Sequence, residues 1–242
     1  MNKPTTAILD GDILAYRAAF FVETEGIEYL EERLNHDVSA WTPPGVTKVI
    51  IAMSCSRSDN YRRDYWPDYK AHRDVKKHTP EALPDAEEYL ASLSKIVTVP
   101  RLEADDLMGL MASSGQAIAV TIDKDLRSVP GWHWNPDKEP DGPTFLDEAL
   151  ADRNFYTQWL TGDSTDNVPG VWKLGPKKAA TLLDSTPPQN WKALVLATYE
   201  NRLDKDGNKY TLDYALAQAR CVRILRDGEY DKKTKTISVY SY

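Results

Sequence analysis

Four short apolar segments that alternate with helix-like segments constrain the fold of this chain more than any other feature. The segments TAILDG, TKVIIAM, KIVTVP and AIAVTID each have the length and apolar content of a buried strand. Between them lie segments with helical spacing, such as PDAEEYLASLS and ADDLMGLMASS. This alternation predicts an α/β fold with a largely parallel central sheet and helices on both faces.

The pattern changes in the second part of the chain. GWHWN and PTFL predict two short edge strands, and helical spacing dominates from Asp147 onward until TISVYSY, which could add a final strand. We therefore predict an α/β core over residues 1–150 and a helical region over residues 151–242 that packs on this core.

Length and composition narrow the class of protein. The 242 residues can bury a sizeable core, and no apolar run reaches the roughly 18 residues that a membrane span needs. The amino terminus shows no secretory signal, and the spacing of Cys55 and Cys221 does not suggest a metal site. We expect a cytoplasmic protein with two free thiols and no membrane partner.

Acidic side chains follow three of the predicted strands. Asp10 ends the first strand, and Asp123 and Asp125 end the fourth. Because ligands bind outside the carboxyl ends of strands in open α/β sheets, we expect these groups to converge. Such crowded carboxylates need cations, and a ligand set of oxygen atoms alone favours Mg²⁺ or Mn²⁺. The group after the third strand consists of Glu103, Asp105 and Asp106.

A further acidic pair opens the segment TGDSTDNVPGVWKLGPKKAATLL. Asp163 and Asp166 bring the number of candidate carboxylates to eight. Two divalent ions about 3.5–4 Å apart are the usual arrangement for hydrolysing phosphodiesters. One ion lowers the pKa of the attacking water, and the other stabilises the leaving oxygen.

Five motifs occur in an order that resembles the 5′-nuclease family of flap endonucleases, 5′-nuclease domains of bacterial DNA polymerase I and phage 5′→3′ exonucleases. The motifs are ILDGD, NYRRDYWPDYKAHR, LEADDLMG, TIDKDL and TGDSTDNVPGVWKLGPKKAATLL. They span nearly the whole chain, and WPDYKAHRDVKK and RCVRIL are most similar to the phage enzymes. The resemblance implies a PIN-like nuclease core and the metal ligands Asp10, Glu103, Asp105, Asp106, Asp123, Asp125, Asp163 and Asp166.

The same resemblance implies an activity and its partners. It predicts a Mg²⁺- or Mn²⁺-dependent 5′→3′ exonuclease that uses two ions on duplex DNA with a 5′ end, a nick or a flap. RNA in RNA–DNA hybrids is a second expected substrate. We expect a monomer, located in the host cytoplasm if a phage encodes it.

Basic and aromatic side chains alternate between Arg57 and His78. Aromatic rings can stack on unpaired bases while cations follow the phosphates, and at least one of Tyr65 and Trp66 is expected to face the core instead. The resemblance implies that residues 57–90 include an arch or clamp over the 5′ end. It also assigns Lys70 and Arg73 to the scissile phosphate or its neighbour. The predicted DNA contacts here are Arg62, Arg63 and Tyr69.

The segment after Asp166 resembles a helix–turn–helix variant that holds the duplex backbone through amides, a monovalent cation and lysines. Gly170 and Gly175 would let the backbone approach phosphate closely. Lys177 and Lys178 open the next helix, whose amino-terminal amides attract anions. Lys173 completes the predicted contacts.

One position departs from the family pattern. The resemblance calls for another Asp just after the second strand, where this chain reads IAMSCSRSDNYRRD. Ser54 or Cys55 stands near that position, and Asp59 comes several residues later. Either a ligand is absent or Asp59 replaces it.

The net charge of −7 does not exclude a polyanionic partner. Subtracting the eight proposed ligands from −7 leaves +1 for the rest of the chain. The acidity is therefore concentrated in the predicted ion site, and local charge decides which partners bind.

Three alternatives remain open. A haloacid-dehalogenase-type phosphatase would use Asp10 as nucleophile and Asp12 as acid and base, but it has no need of EADD. The turn after Asp166 argues against a metal-dependent nuclease that cuts RNA internally. The intact carboxylates argue against a non-catalytic DNA-binding module.

Overall fold

The computed structural model describes residues 2–72 and 78–241. The predicted catalytic Arg73 and the start of the predicted arch that follows it lie outside these residues. The chain forms two compact units. The first unit contains residues 2–60, 78–146 and 224–236, and the second contains residues 61–72, 147–223 and 237–241.

A six-stranded sheet forms the centre of the first unit, in the order β3-β2-β1-β4-β5-β6. All neighbouring pairs are parallel except β5 with β6, which is antiparallel. The predicted α/β class is therefore confirmed. Both predicted short strands form, but only β6 lies at an edge of the sheet, because β5 pairs with both β4 and β6. The strands are β1 Thr6–Asp10, β2 Lys48–Ala52, β3 Lys95–Val97, β4 Ile118–Val120, β5 Gly131–Trp134 and β6 Thr144–Leu146.

The strand order places a topological switch point between β1 and β4. From β1 the chain goes to β2 and β3 on one side, and β4 and β5 then build the other side. Leu9 pairs with Val120 and Asp10 pairs with Ala52, so Asp10 is the last residue of β1 at this point. A crevice outside the carboxyl ends of strands forms where the order reverses, and it is the usual ligand site of open α/β sheets.

Helices of the first unit pack apolar faces against the sheet. In the first of them, buried Leu14, Ala18 and Val22 recur every four residues and join the same core cluster as Leu9 and Ile51. These helices are α1 Gly11–Glu25, α2 Leu30–Ala40, α3 Leu83–Leu93 and α4 Ala104–Ser113.

The second unit is helical and has its own aromatic core. Trp159, Phe155 and Tyr199 are at most 1% exposed, and the indole of Trp159 donates to the Ala215 carbonyl at 2.8 Å. Burying such rings contributes strongly to a core of this size. The helices are α5 Glu148–Thr161, α6 Pro176–Asp184, α7 Trp191–Glu200 and α8 Leu212–Val222.

The division into units differs from the predicted single boundary near residue 150. The chain changes unit between Leu146 and Asp147, but residues 61–72 also belong to the second unit and residues 224–236 return to the first. A short two-stranded sheet, β7 Tyr230–Asp231 with β8 Thr236–Ile237, lies near the end of the chain. The aromatic residues of segment 61–72 explain its placement, because Tyr69 and Trp66 pack in the aromatic core.

Among the described residues, no helix has both the length and the apolar content needed to cross a membrane.

Candidate metal centre and phosphate-binding surface

Asp10 is a buried carboxylate at the switch point. It is 3% exposed, and it caps α1 by accepting a hydrogen bond from the Ile13 amide at 3.1 Å. Its second oxygen accepts from the Thr121 hydroxyl at 2.7 Å. These two bonds orient the carboxylate, although the rest of its surroundings oppose its charge.

Burial and the nearby charges of Asp12 and Asp123 together raise the pKa of Asp10 to about 7, while the bonds from Thr121 and Ile13 act in the opposite direction. The charged form of Asp10 is thus unfavourable in the metal-free protein. A bound cation would offset this unfavourable energy.

Asp123 approaches the same point from the end of β4. Its amide donates to the Thr121 hydroxyl at 3.0 Å, so Thr121 connects it to Asp10. The Asp123 carboxylate accepts from the Asp125 amide at 2.8 Å, and both acidic side chains are half-buried. The register of β1 and β4 therefore brings together two of the predicted acidic groups.

The third acidic group opens α4. Asp106 is fully buried, and its two oxygens accept from the Glu103 amide at 3.1 Å and the Leu225 amide at 3.2 Å. Asp106 therefore caps the helix and anchors the returning segment 224–236. Glu103 is 9% exposed and Asp105 is half-buried.

Ser54 lies two residues after the end of β2, near the position where the resemblance calls for an Asp. Its amide donates to Asp12 Oδ1 at 3.1 Å, and its hydroxyl donates to Asp12 Oδ2. The same hydroxyl accepts from the Ala104 amide at 2.9 Å. Asp59 is exposed and holds a neighbouring loop by accepting from the Arg101 amide at 3.0 Å.

Cys55 lies beside the third acidic group. Burial, together with the charges of Glu103, Asp59 and Asp106, raises the pKa of its thiol to about 11. The thiol is therefore protonated at neutral pH, and it is free, as predicted.

The donor atoms of these groups suit a hard divalent cation, because they are carboxylate and hydroxyl oxygens. Within residues 2–72 and 78–241, however, no three His, Cys, Asp or Glu side chains form a ready-made metal cage. The assignment of eight carboxylates to metal therefore stays a prediction.

Asp163 and Asp166 lie in the second unit. Asp163 accepts from the Thr165 amide at 2.7 Å. Asp166 Oδ2 accepts from the Tyr69 hydroxyl at 3.0 Å and lies 3.7 Å from the Lys70 ammonium. The predicted catalytic Lys70 thus forms an ion pair with a predicted metal ligand.

Two predicted DNA contacts are wrong in this structure. Arg62 is 1% exposed, and its guanidinium donates to the carbonyls of Cys221 at 3.0 Å and Arg223 at 2.8 Å. Tyr69 is 2% exposed and belongs to the aromatic core. Arg62 joins segment 61–72 to the end of α8 and Tyr69 joins it to Asp166, so neither side chain faces solvent. Arg63 is half-buried, and its role stays a prediction.

Gly170 also has a different role from the one predicted. It is buried with φ 66°, and its amide donates to Gln218 Oε1 at 3.1 Å, so this amide is occupied within the protein. A Cβ there would lie 2.3 Å from the Gly162 amide nitrogen. Gly170 therefore allows close approach of backbone to backbone rather than to phosphate.

The second glycine of the predicted turn and its lysines face solvent. Gly175 is exposed and caps α6 without a side chain, and nothing lies within 4 Å of its Cβ position. Lys173, Lys177 and Lys178 are exposed around it. We call these four residues the lysine surface. It combines cations with the amino terminus of a helix, two features that favour phosphate.

The expectation that Tyr65 or Trp66 faces the core is met by Trp66. Its ring packs against the aromatic core, and its indole donates to the Asn167 carbonyl at 2.9 Å. Asn167 adopts a left-handed conformation, with φ 59°, at the turn after Asp166. Trp66 therefore helps to hold the turn that carries the acidic pair.

Sequence reasoning missed three side chains at the switch point. Asp12 was considered only as the acid and base of a phosphatase. A role for Thr121 and the hydrogen bonds of Ser54 were not predicted. The signal for Asp12 was present, because ILDGD places two carboxylates two residues apart. Nothing near Thr121 or Ser54 in the sequence indicates that their hydroxyls meet acids more than 40 residues away.

Structural comparison confirms the fold. The T5 D15 protein, whose crystals contain metal ions, aligns with 90% of this chain and 88% of its own, with a TM-score of 0.65 and 16% identity. The catalytic core of Rad2 in complex with DNA aligns with a TM-score of 0.51 over 89% of this chain and 79% of its own, at 13% identity. These identities are low, so both likenesses concern the fold alone.

Sequence comparison gives the family. A 5′-3′ exonuclease of Halalkalibacterium halodurans is 31% identical over 57% of this chain and 51% of its own. DNA polymerase I of Bacillus caldotenax is 25% identical over 75% of this chain and 23% of its own, so the chain spans only part of these relatives. The profile of the 5′-3′ exonuclease N-terminal resolvase-like domain matches residues 5–131, more than half of the chain. The protein therefore belongs to the 5′-3′ exonuclease family.

Proposed function

We propose that the chain is a divalent-metal-dependent 5′→3′ nuclease that hydrolyses phosphodiesters of duplex DNA. The observation that carries this proposal is the buried Asp10 beside Asp12 and Asp123 at the switch point of the sheet. Membership of the 5′-3′ exonuclease family supports the reaction class. The metal ions and DNA named for structures with the same fold agree with it.

The proposed ligands of two Mg²⁺ or Mn²⁺ ions are the eight carboxylates of the predicted set. When bound, such ions lower the pKa of the attacking water and stabilise the leaving oxygen. Asp10 and Asp123 have the strongest structural support, because Thr121 holds both. The contribution of Asp163 and Asp166 rests on the family resemblance alone.

Lys70 and Arg73 are proposed to stabilise negative charge on the phosphate. The Lys70 side chain is 15% exposed and lies against that of Asp166, which is 19% exposed, so its ammonium is partly desolvated and fixed. A fixed charge needs little reorganisation as negative charge develops on the phosphate during reaction.

The lysine surface is proposed to hold the duplex backbone away from the cleaved bond. Its residues are exposed, unlike Gly170, which serves packing. A monovalent cation at the turn between Asn167 and Gly175 remains part of the proposal, on the resemblance alone. The proposed substrates are duplexes with a 5′ end, nick or flap, and the RNA strand of RNA–DNA hybrids.

The hydrogen bonds of Asp12 argue against the phosphatase alternative. Asp12, its proposed acid and base, accepts hydrogen bonds from Ser54 through both carboxylate oxygens. These bonds stabilise the ionised form, which is a poor proton donor. An aspartyl-phosphate on Asp10, trapped in the presence of a phosphate ester, would revive this alternative.

The proposed function is tested by digestion of 5′-labelled and 3′-labelled DNA as blunt, nicked and flapped duplexes. We expect short 5′-labelled products with Mg²⁺, no cleavage in EDTA, and recovery with Mg²⁺ or Mn²⁺. Asp10→Asn should be inactive on each substrate. Full cleavage in excess chelator, or release of nucleotides from the 3′ end, would contradict the proposal.

A further inference from the structure

Ser54 connects three elements of the first unit at the carboxyl end of the sheet. Ser54 follows β2, and its hydrogen bonds to Asp12 reach the first turn of α1. Its hydroxyl also accepts a hydrogen bond from the amide of Ala104, the first residue of α4. The hydroxyl thus acts as donor and acceptor at the same time. It sets the position of α1 relative to α4, and hence of Asp10 relative to Glu103, the residues that precede these helices.

The negative charge at this point comes from Asp12 rather than from a residue of β2. Ala52 ends the strand, and Met53, Ser54 and Cys55 follow it, without a carboxylate. Asp12 is half-buried and lies in the first turn of α1, the helix that Asp10 caps. Ser54 therefore holds a carboxylate at the segment that follows β2, next to the amino terminus of α1.

We propose that Asp12 and Ser54 together replace the carboxylate expected after the second strand, with Asp12 supplying the charge and Ser54 positioning it and α4 for metal binding. This inference rests on the proposed function, because it assigns both residues to the proposed metal centre. Residues that orient metal ligands through hydrogen bonds typically change metal affinity by about 10–100-fold when they are removed.

The test measures Mn²⁺ binding to the metal-free protein, with free Mn²⁺ followed by electron paramagnetic resonance and without DNA. Ser54→Ala and Asp12→Asn should each weaken Mn²⁺ binding by about tenfold or more. Ser54→Thr should keep the wild-type affinity, because it keeps the hydroxyl. The exchange Asp12→Ser with Ser54→Asp, which moves the carboxylate to the segment after β2, should restore affinity to within about threefold of wild type.

Two control variants separate this role from a loss of stability or of bulk charge. Ser113→Ala removes a similar bridging hydroxyl at the other end of α4, where Ser113 donates to the Gly109 carbonyl and accepts from the Asp227 amide. Asp85→Asn removes an exposed charge from the first turn of α3. Both controls should bind Mn²⁺ like wild type, although Ser113→Ala should unfold at a lower temperature.

Several results would overturn the inference. Wild-type Mn²⁺ affinity in Ser54→Ala and Asp12→Asn, with DNA cleavage intact in wild type, would refute it and leave the proposed function standing. An equal loss of Mn²⁺ affinity in Ser113→Ala would show that Ser54 has only a structural role. If the exchanged protein does not fold, weak binding by Ser54→Thr would refute the inference. A wild-type protein that neither binds Mn²⁺ nor cleaves DNA would refute both proposals.

Discussion

At the residue scale, the charges of the candidate site act against folding. Asp10 is 3% exposed, and burial together with Asp12 raises its pKa to about 7. A pKa above the usual value means that the folded protein loses stability as pH rises from about 4 through 7. Binding sites commonly contain charged groups that lower the stability of the unliganded protein, because the bound ligand interacts with these charges.

Asp10→Asn is expected to stabilise the metal-free protein at pH 8, by about 1–3 kcal/mol, because the buried charge is removed. The same change should abolish the rise in melting temperature that Mg²⁺ gives to wild type. Thermal unfolding in EDTA and in MgCl₂ measures both effects, with Asp85→Asn as the exposed control. A lower melting temperature for Asp10→Asn in EDTA would contradict the prediction.

His133 should make the stability depend on pH. It is 4% exposed, and burial lowers its pKa to about 4, while its Nε2 donates to the Val129 carbonyl at 2.8 Å when the ring is neutral. The unfolded chain takes up a proton near pH 6.5 and the folded chain only near 4, so stability falls as pH drops through this window. The expected loss attributable to this residue is up to about 3 kcal/mol.

The check is urea unfolding between pH 4.5 and 8 for wild type and His133→Gln. Glutamine can still donate to the Val129 carbonyl but does not titrate. As pH falls, the unfolding free energy of wild type should therefore decrease relative to that of the variant. A constant difference would show that His133 does not titrate differently on folding.

At the element scale, the turn between α5 and α6 has a packed part and an exposed part. Gly170 is enclosed by the backbone of Thr161 and Gly162, whereas Gly175 has open space around it. The sequence does not distinguish the two glycines. Gly170 precedes an apolar run, Gly175 precedes a proline, and lysines lie near both. Only the fold distinguishes a packing glycine from one that can approach a phosphate.

Gly170→Ala is expected to lower the unfolding free energy by about 2 kcal/mol or more, because a side chain at φ 66° is strained and meets backbone atoms. Gly175→Ala should cost less than about 1 kcal/mol. Urea denaturation of the two variants measures the contrast. Equal effects would mean that the turn is packed differently.

The lysine surface should contribute to DNA affinity without regard to sequence. Lys177→Ala with Lys178→Ala is expected to weaken binding to all duplexes and to reduce the slope of log K against log[salt] by up to about two units. Lys232→Ala with Lys233→Ala removes a second exposed pair and serves as the control. Binding isotherms in Ca²⁺ at several salt concentrations give the slopes, and an unchanged slope would remove these lysines from the interface.

At the scale of the whole chain, a distant segment completes the first unit. Residues 224–236 return to it after the helices of the second unit, and Arg226 donates to the Ser128 carbonyl at 2.7 Å. Gly109, in the middle of α4, would place a Cβ 2.4 Å from the Leu225 carbonyl oxygen. The glycine is therefore required by a contact across more than one hundred residues of sequence.

Gly109→Ala should destabilise the protein by about 2 kcal/mol or more through this overlap. Helix propensity alone would predict the opposite, a gain of about 1 kcal/mol. Equilibrium unfolding in urea decides between the two, because the signs differ. A more stable variant would mean that the returning segment does not pack against α4.

The alternation of strands and helices and the positions of acids at strand ends were predictable from the residue pattern alone. These features depend on periodicity over about ten residues and on the direction of parallel strands, so they can be predicted locally. The residue pattern does not show that Arg62 and Tyr69 are buried, that Gly170 packs against Gly162, or that Ser54 meets Asp12. Each of these depends on which distant surfaces meet, and close packing of side chains and backbone, rather than local propensity, determines that.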